Sequence, residues 1–139
     1  EKVFGYVVEG ATYQPRLAAY ALIRDAEGQV AVVKTRRGYF LPGGGSDTGE
    51  TPEQTVSREV REELGREVRI IGKVDEAIQY FSADGKYYRL EATFFEAEIE
   101  GEAAGDAEYE LLWASPTTAE EEFFHQCHWW AINQSGSRP

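Results

Sequence analysis

One amphipathic helix restricts the fold of this chain more than any other feature of its sequence. Its start is marked by Thr51 as N-cap, Pro52 at the first helical position and Gln54, which completes a capping box with Thr51. Gly65 is a typical residue just beyond a helix C-terminus. Apolar residues recur at a spacing of four, at Val56, Val60 and Leu64. Because a helix with one narrow apolar stripe must bury it, the sequence predicts a helix at 51–64 docked on a sheet.

Apolar runs between turn-forming clusters predict the strands of that sheet. The runs at 17–23 and 30–33 flank the turn-forming residues 25–28 and predict a β-hairpin. A short strand at 39–41 is predicted to end in a turn made of Pro42 and the glycines at 43–45. Further strands are predicted at 68–74, 77–81, 87–99 and 109–113, and a helical segment, with room for a break, at 115–132.

This order of strands, helix, strands and helix predicts an α/β protein with a mixed β-sheet between helical layers. The chain has 139 residues, a length typical of one domain, and contains no internal repeat or linker. A single domain over 1–139 is therefore expected, with a frayed tail at 135–139.

Charge and composition exclude several classes of partner. Acidic residues outnumber basic ones by 25 to 14, a formal net charge of −11, which disfavours binding to a nucleic-acid polymer. No apolar run approaches the roughly 18 residues that cross a bilayer, and the single Cys127 excludes an intrachain disulfide. We therefore expect a cytoplasmic protein without a membrane partner. The sequence begins at Glu1 and contains no Met, which leaves open whether a segment precedes it.

The predicted helix carries three carboxylates beside its apolar stripe. At about 100° per residue, Glu59, Glu62 and Glu63 lie near 0°, 300° and 40°. Like charges at these spacings oppose helix formation by about 0.2–0.5 kcal/mol per pair, and a hard divalent cation such as Mg²⁺ or Mn²⁺ would compensate for the repulsion. The alternative is an ordinary solvated face on which Arg58 and Arg61 balance the charge.

The spacing of these residues resembles the Nudix box of the Nudix hydrolases, the MutT-like family. The chain reads Gly44, five residues, Glu50, seven residues, and then a contiguous stretch from 58 to 65. Eight defined positions match in order and spacing: Gly44, Glu50, Arg58, Glu59, Val60, Glu62, Glu63 and Gly65. One position departs, because Arg66 stands where the family pattern has an aliphatic residue. The box covers residues 44–66.

The resemblance implies a Nudix-type α/β/α sandwich and a nucleotide pyrophosphohydrolase. Such an enzyme hydrolyses a pyrophosphate bond in a nucleoside diphosphate linked to another moiety, with Mg²⁺ or Mn²⁺ as cofactor. Glu59, Glu62 and Glu63 match the metal-binding carboxylates of the family, one of which, often the first, also acts as a base. The carbonyl of Gly44 is expected to complete the metal shell.

Other positions of the box imply supporting roles. Arg58 matches the arginine that orients the site through Glu50, and Gly43 and Gly65 are expected to support its backbone. Family members often add a glutamate from outside the box. The acidic segment 96–110 contains no basic residue, and Glu110, just before a predicted strand, is the preferred auxiliary base or ligand, followed by Glu98 and Glu108.

The substrate side of the site is less specific in sequence. Arg36 and Arg37, with Lys34 before them, are placed to reach a phosphate, although solvated hairpin charges are the alternative. Tyr39 and Tyr80 are candidates to stack on a base, and core packing is the alternative for both. The segment 125–128 contains two His and one Cys, but it lacks a distant second pair of zinc ligands and is interpreted as helix packing.

Two other functions compete with the hydrolase. A nucleotide-binding sensor would keep the fold but lack one of the box carboxylates, and all are present here. An acidic interaction domain would match the motif by accident and show no metal-dependent stabilisation. The identity of the small nucleotide substrate, the number of metal ions and the formation of a homodimer stay open at this level.

Overall fold

A computed structural model describes residues 2–103 and 105–135 of the chain. Its elements, in chain order, are β1 (Val3–Phe4), β2 (Tyr13–Leu22), β3 (Val30–Thr35), β4 (Gly38–Phe40), β5 (Gly43–Gly45), α1 (Pro52–Leu64), β6 (Glu67–Ala83), β7 (Lys86–Glu100), β8 (Leu112–Ala114), a 3₁₀ turn (Glu120–Glu122) and α2 (Gln126–Ser135). Within those residues no helix is long and apolar enough to cross a membrane.

The strands form two sheets, and the larger one is mixed. The five-stranded sheet has the order β1-β6-β7-β2-β5, and the three-stranded sheet has the order β4-β3-β8. In the larger sheet, β2 runs parallel to β7 and antiparallel to β5. Because side chains alternate along a strand, β2 contributes buried side chains to two separate cores, one on each face of the sheet. This arrangement confirms the predicted α/β/α sandwich.

Helix α1 covers one face of the central sheet as predicted. Thr51 Oγ1 accepts a hydrogen bond from the Gln54 backbone N–H at 3.1 Å, and Gln54 Oε1 accepts one from the Thr51 N–H at 2.9 Å. Gly65 ends the helix in the left-handed conformation, with φ 63°. The buried stripe packs against alternate residues of β2 and its neighbours, the cluster being Ala19, Ala21, Ile23, Ala31, Val33, Val56, Val60, Leu64, Phe95 and Ala97.

Helix α2 covers the opposite face but is shorter than predicted. Cys127, Ala131 and Ile132 pack with Tyr20 and Leu22 in the second core. The predicted helical segment at 115–132 is wrong in its first half, which contains only a 3₁₀ turn before α2 begins at Gln126. The chain is extended at Phe123, and the next backbone N–H donates to the Tyr39 carbonyl of β4, so a continuous helix is not possible there.

The predicted hairpin at 17–23 and 30–33 has the expected turn but not the expected pairing. Asp25 Oδ1 accepts hydrogen bonds from the backbone N–H groups of Glu27 and Gln29, and the Ala31 N–H donates to the Ile23 carbonyl at 2.8 Å. Beyond that point β2 and β3 enter different sheets, because β7 and β5 occupy both edges of β2.

The remaining strands differ from the prediction in their bounds. The strands predicted at 68–74 and 77–81 are one long strand, β6, which keeps its pairing with β7 across two bulges between Ile70 and Gly72 and between Lys73 and Asp75. The strand predicted at 109–113 is shorter and begins at Leu112. In the predicted frayed tail, Ser135 belongs to α2, and residues 136–139 lie outside the described residues.

Candidate active site

The three glycines after Pro42 form an edge strand, not the predicted turn. β5 pairs antiparallel with β2, so that Gly44 lies opposite Ala19. A Cβ at Gly44 would lie 1.9 Å from Glu59 Oε2 of α1. At Gly43, φ is 141° and a Cβ would lie 2.2 Å from the Ala19 carbonyl oxygen. Glycine at both positions therefore allows the sheet backbone to approach the carboxylates of the helix.

Glu63 is the most deeply placed of the three carboxylates. Its Oε1 accepts a hydrogen bond from the Gly43 backbone N–H at 2.9 Å. Burial raises the pKa of Glu63 to about 8, and the nearby charges of Glu59, Glu108 and Glu62 act in the same direction. The Gly43 hydrogen bond opposes that shift without cancelling it.

Glu59 is half-buried against the backbone of Gly44. Desolvation raises its pKa, the Arg58 charge lowers it, and the adjacent Glu62 raises it again. Glu62, in contrast, is exposed. The carboxylate stripe therefore runs from a buried end at Glu63 to a solvated end at Glu62.

Arg58 joins the stripe to the loop that precedes the helix. Its guanidinium donates to both oxygens of Glu50, from Nε at 2.7 Å and from Nη2 at 3.0 Å, and Nη2 also donates to the Gly45 carbonyl at 2.9 Å. Nη1 lies 3.3 Å from Glu59 Oε1 and 3.2 Å from Glu62 Oε1. Nε also lies 3.3 Å from Asp47 Oδ2, so that one planar cation orients two carboxylates of the helix and two of the loop.

Glu50 is itself held from three sides. Its Oε1 also accepts hydrogen bonds from the Asp47 backbone N–H at 2.9 Å and from Thr55 Oγ1 at 2.8 Å. The hydrogen bond from Arg58 is the main reason that the pKa of Glu50 falls to about 2. Glu50 therefore stays ionised and holds Arg58 in place, and its supporting role in the site stays a prediction.

The donor set of this site suits a hard divalent cation. It combines carboxylate oxygens on successive turns of α1 with the backbone of a glycine strand, and Mg²⁺ and Mn²⁺ prefer oxygen ligands. Within residues 2–103 and 105–135, no three His, Cys, Asp or Glu side chains are gathered as they would be around a metal ion. Arg58 Nη1 lies between Glu59 and Glu62 instead. The carboxylates of Glu59 and Glu63 lie against the backbone of Gly44 and Gly43, and this gathering of oxygen atoms fits a cation.

The acidic segment after β7 reaches the site through its backbone. The Glu108 N–H donates to the Glu62 carbonyl at 3.2 Å, and the Tyr109 N–H donates to the Glu63 carbonyl at 2.8 Å. These bonds satisfy carbonyl groups at the end of α1 that have no partner within the helix. The charge of Glu108 also contributes to the raised pKa of Glu63. Glu110 is exposed, and its role as an auxiliary base stays a prediction. Glu98 pairs with Arg69 on β6.

A cavity of about 680 Å³ is bounded on one side by Tyr109, whose backbone is bonded to the end of α1. It is lined by Lys34, Thr35, Arg36, Arg37, Phe40 and Tyr109. The predicted substrate cations Arg36 and Arg37 therefore share one cavity. Tyr109 is a residue that the sequence interpretation missed, because it was assigned only to a strand.

Tyr109 connects the cavity to the end of α1 through its backbone bond to the Glu63 carbonyl. Burial raises the pKa of its phenol, and the charges of Glu108, Glu63 and Glu59 raise it further. An aromatic residue that follows a long acidic segment was the available signal, but its partner on α1 is distant in sequence.

Two predicted substrate residues do not line this cavity. Tyr39 packs edge-on against Phe123, with ring centroids 5.8 Å apart. The Tyr80 hydroxyl accepts a hydrogen bond from Arg89 Nε at 3.2 Å, and its ring packs edge-on against Tyr13. The structure thus places both tyrosines in aromatic pairs, which is the alternative that the sequence leaves open for them.

Gly65 and Arg66 complete the end of the box. A Cβ at Gly65 would lie 3.0 Å from the Gly105 carbonyl oxygen, so the acidic segment packs closely on the helix end. Arg66 stands at the position where the family pattern has an aliphatic residue, and its Nη2 donates to the Gly101 carbonyl at 3.1 Å. Arg66 therefore contacts the loop that follows β7.

The His-Cys-His segment at 125–128 is buried in the second core. His128 Nδ1 accepts a hydrogen bond from the Leu41 N–H at 3.1 Å, and its ring packs against Tyr20 at a centroid distance of 4.2 Å. Burial lowers the pKa of both histidines. These contacts agree with the predicted packing role.

Comparisons with solved structures identify the fold. The chain is similar to a Nudix hydrolase from Nitrosomonas europaea, with TM-score 0.67, 19% identity, and coverage of 87% of this chain and 88% of that one. It is similar to a MutT protein from Methanosarcina mazei Go1, with TM-score 0.69, 19% identity, and coverage of 95% and 100%. A mutator MutT protein from Bacillus halodurans gives TM-score 0.69, 24% identity, and coverage of 88% and 83%. No curated protein sequence matches the chain.

The sequence itself identifies the family, because a model of the NUDIX domain matches residues 14–135. The chain belongs to the Nudix family and is a hydrolase that acts on pyrophosphate bonds. Nudix hydrolases generally use divalent metal ions and act on small nucleotide derivatives. The match over most of the chain excludes the accidental motif agreement that an unrelated acidic interaction domain would require.

Proposed function

We propose that this protein hydrolyses a pyrophosphate bond in a nucleoside diphosphate linked to another moiety, as a single domain with Mg²⁺ or Mn²⁺ bound at the box. The ligands in this proposal are Glu59, Glu62, Glu63 and the Gly44 carbonyl. The observation that carries it is the convergence of the helix carboxylates on the backbone of β5. The sensor alternative is disfavoured because every carboxylate of the box is present.

A divalent cation bound there would polarise phosphoryl oxygens and offset the repulsion between the substrate and the carboxylates. The protein supplies the positioning. Arg58 holds the carboxylates of Glu59 and Glu62 in one orientation through its hydrogen bonds to Glu50 and to the Gly45 carbonyl. Groups held in this way do not have to reorganise during the reaction.

Glu59 is our proposed base, accepting a proton from the attacking water at a carboxylate oxygen. Its carboxylate lies against the backbone of Gly44 and within 3.3 Å of Arg58 Nη1, so it is held in one place beside the proposed cation. Glu110 is retained as the proposed auxiliary base, because it follows Tyr109 at the edge of the site.

On the substrate side we propose direct binding by Arg36 and Arg37. Both line the cavity that Tyr109 also lines, and guanidinium groups match phosphate geometry. Stacking on Tyr39 and Tyr80 is not carried into this proposal, because both rings pack in other aromatic pairs.

A hydrolysis screen tests the proposal. Nucleoside triphosphates, nucleotide sugars, ADP-ribose and dinucleoside polyphosphates would be incubated with Mg²⁺ or Mn²⁺, and the products identified. We expect a nucleoside monophosphate or diphosphate among the products, and a loss of about 10³-fold in kcat in Glu59→Gln and in Glu62→Gln.

Glu53→Gln is the matched control for charge, since Glu53 is exposed in the first turn of the same helix. It should retain near wild-type turnover. A shift in Tm with Mg²⁺ or Mn²⁺ that disappears in Glu59→Gln would support the metal site independently of turnover. Near-normal activity in both site variants would contradict the assignment.

A further inference from the structure

The cavity next to Tyr109 carries positive charge in a strongly acidic protein. Lys34, Arg36 and Arg37 line it, although the whole chain has a formal net charge of −11. The end of α1 that Tyr109 contacts carries the carboxylates, and the backbone of Glu108 is bonded to it. The site therefore has an acidic half and a basic half, and Tyr109 lies between them.

The three cations of the basic half differ in their partners. Arg37 Nη2 pairs at 2.6 Å with Oδ2 of Asp84, which lies in the turn between β6 and β7. Lys34 and Arg36 are exposed and have no ion-pair partner among residues 2–103 and 105–135. These two side chains are therefore the positive charges that an incoming anion meets without displacing a protein carboxylate.

The backbone and walls around these cations are held in place. Thr35 Oγ1 donates to the Gly38 carbonyl at 3.2 Å and accepts from the Arg37 N–H at 3.0 Å. The Phe40 ring stacks on Phe124 with centroids 5.5 Å apart. Tyr109 is tied to the end of α1 by its backbone bond to Glu63. The cavity is thus preformed on strands and a capped helix end.

We propose, on the basis of the proposed function, that Lys34 and Arg36 bind an anionic group of the substrate beyond the cleaved pyrophosphate. The acidic half needs a cation before it can accept phosphate, whereas the basic half binds phosphate directly. Substrates that carry a third phosphate are therefore preferred over substrates whose second moiety is a neutral sugar. The cavity therefore determines which of these two substrate classes the enzyme prefers.

Pairs of substrates with a common nucleoside diphosphate test this inference. ATP and ADP-ribose differ in whether a phosphate or a sugar lies beyond the diphosphate, and UTP with UDP-glucose and GTP with GDP-mannose extend the comparison to other bases. The wild type should show a higher kcat/KM for the triphosphate of the pair that it accepts. In Arg36→Gln and in Lys34→Gln the KM for the triphosphate should rise about tenfold, and that for the sugar derivative less than twofold.

Arg69→Gln is the control, because it makes the same change in charge on β6, where Arg69 pairs with Glu98 outside the cavity. It should leave both KM values unchanged. Equal effects of Arg36→Gln on both members of a pair, or a wild-type preference for the sugar derivative, would overturn the inference and leave the proposed function intact.

A binding measurement in EDTA separates the two proposals. With divalent cations removed, inorganic tripolyphosphate should bind the wild type with a strong dependence on salt, and Arg36→Gln should weaken that binding about tenfold. This result together with no turnover of any nucleotide would contradict the proposed function and support the cavity assignment. Binding that is unchanged in Arg36→Gln and Lys34→Gln would overturn the cavity assignment.

Discussion

Replacement of Gly44 by alanine separates catalytic geometry from folding in this site. The new Cβ would lie 1.9 Å from Glu59 Oε2 and 2.9 Å from its carboxyl carbon. The oxygen would have to retreat by about 1.5 Å to reach the 3.4 Å at which ordinary van der Waals contact begins. That movement disrupts the approach of Arg58 Nη1 to Glu59, which is 3.3 Å in the wild type.

The expected cost falls on catalysis rather than on stability. A misplacement of about 1 Å in a reacting group lowers rates by about 100-fold, so kcat/KM should fall by at least that factor, or about 2.7 kcal/mol. The backbone of Gly44 does not adopt the left-handed conformation, so alanine is tolerated there and the free energy of unfolding should change by less than about 1 kcal/mol.

Its two neighbours provide matched controls on the same strand. Gly45→Ala meets only the Leu17 carbonyl oxygen, at 3.9 Å, and should retain both activity and Tm. Gly43→Ala meets the Ala19 carbonyl oxygen at 2.2 Å with φ at 141°, and should lose about 2 kcal/mol or more of stability. Steady-state kinetics and thermal unfolding of the three variants are the assay. Wild-type kcat/KM in Gly44→Ala, or a loss of stability equal to that of Gly43→Ala, would refute the reasoning.

Three further changes test other parts of the structure. Arg58→Lys keeps the charge but loses the planar guanidinium that binds both oxygens of Glu50. The rate constant in single-turnover kinetics should therefore fall about 10- to 100-fold, and full activity would contradict the positioning role. Burial lowers the pKa of His125 to about 4. Below about pH 6.5 this histidine therefore binds a proton in the unfolded chain but stays neutral in the folded one. The contribution of His125 to the free energy of unfolding is therefore complete above pH 6.5, and it declines toward pH 4 by up to about 1.4 kcal/mol per pH unit. Urea unfolding at pH values between 4 and 7 measures the free energy of unfolding. Its dependence on pH should be weaker in His125→Phe than in the wild type, and an equal dependence would contradict the lowered pKa of His125. Arg66→Leu removes the bond to the Gly101 carbonyl and should change Tm more than kcat, an expectation that loss of turnover without unfolding would contradict.

Helix α1 shows how much of the site could be predicted from sequence. The capping box at Thr51 and Gln54, the buried stripe and the end at Gly65 all depend on residues within a few positions of one another. Local signals of this kind act through hydrogen bonds and contacts inside one element. The angular placement of the three carboxylates follows from helical periodicity alone.

The glycine strand and the region before α2 show where sequence interpretation failed. Glycines usually mark turns, and β5 exists only because β2 offers its free edge to Gly43–Gly45. The segment before Gln126 has helical composition, yet Phe124 donates its N–H to the Tyr39 carbonyl, 85 residues earlier in the chain, and this bond fixes an extended backbone. Tertiary pairing overrides a local preference in both places.

The sequence by itself determined the family, the capped helix α1 and the identity of the carboxylates on it, because the box and the helix are local patterns. Only the tertiary structure decided what those carboxylates meet. Gly43 and Gly44 reach α1 through the pairing of β5 with β2, and Tyr109 reaches it through a loop 46 residues beyond Glu63. Contacts between residues so distant in the chain depend on how the strands pair and how the helix docks, and a local pattern of residue types does not encode them.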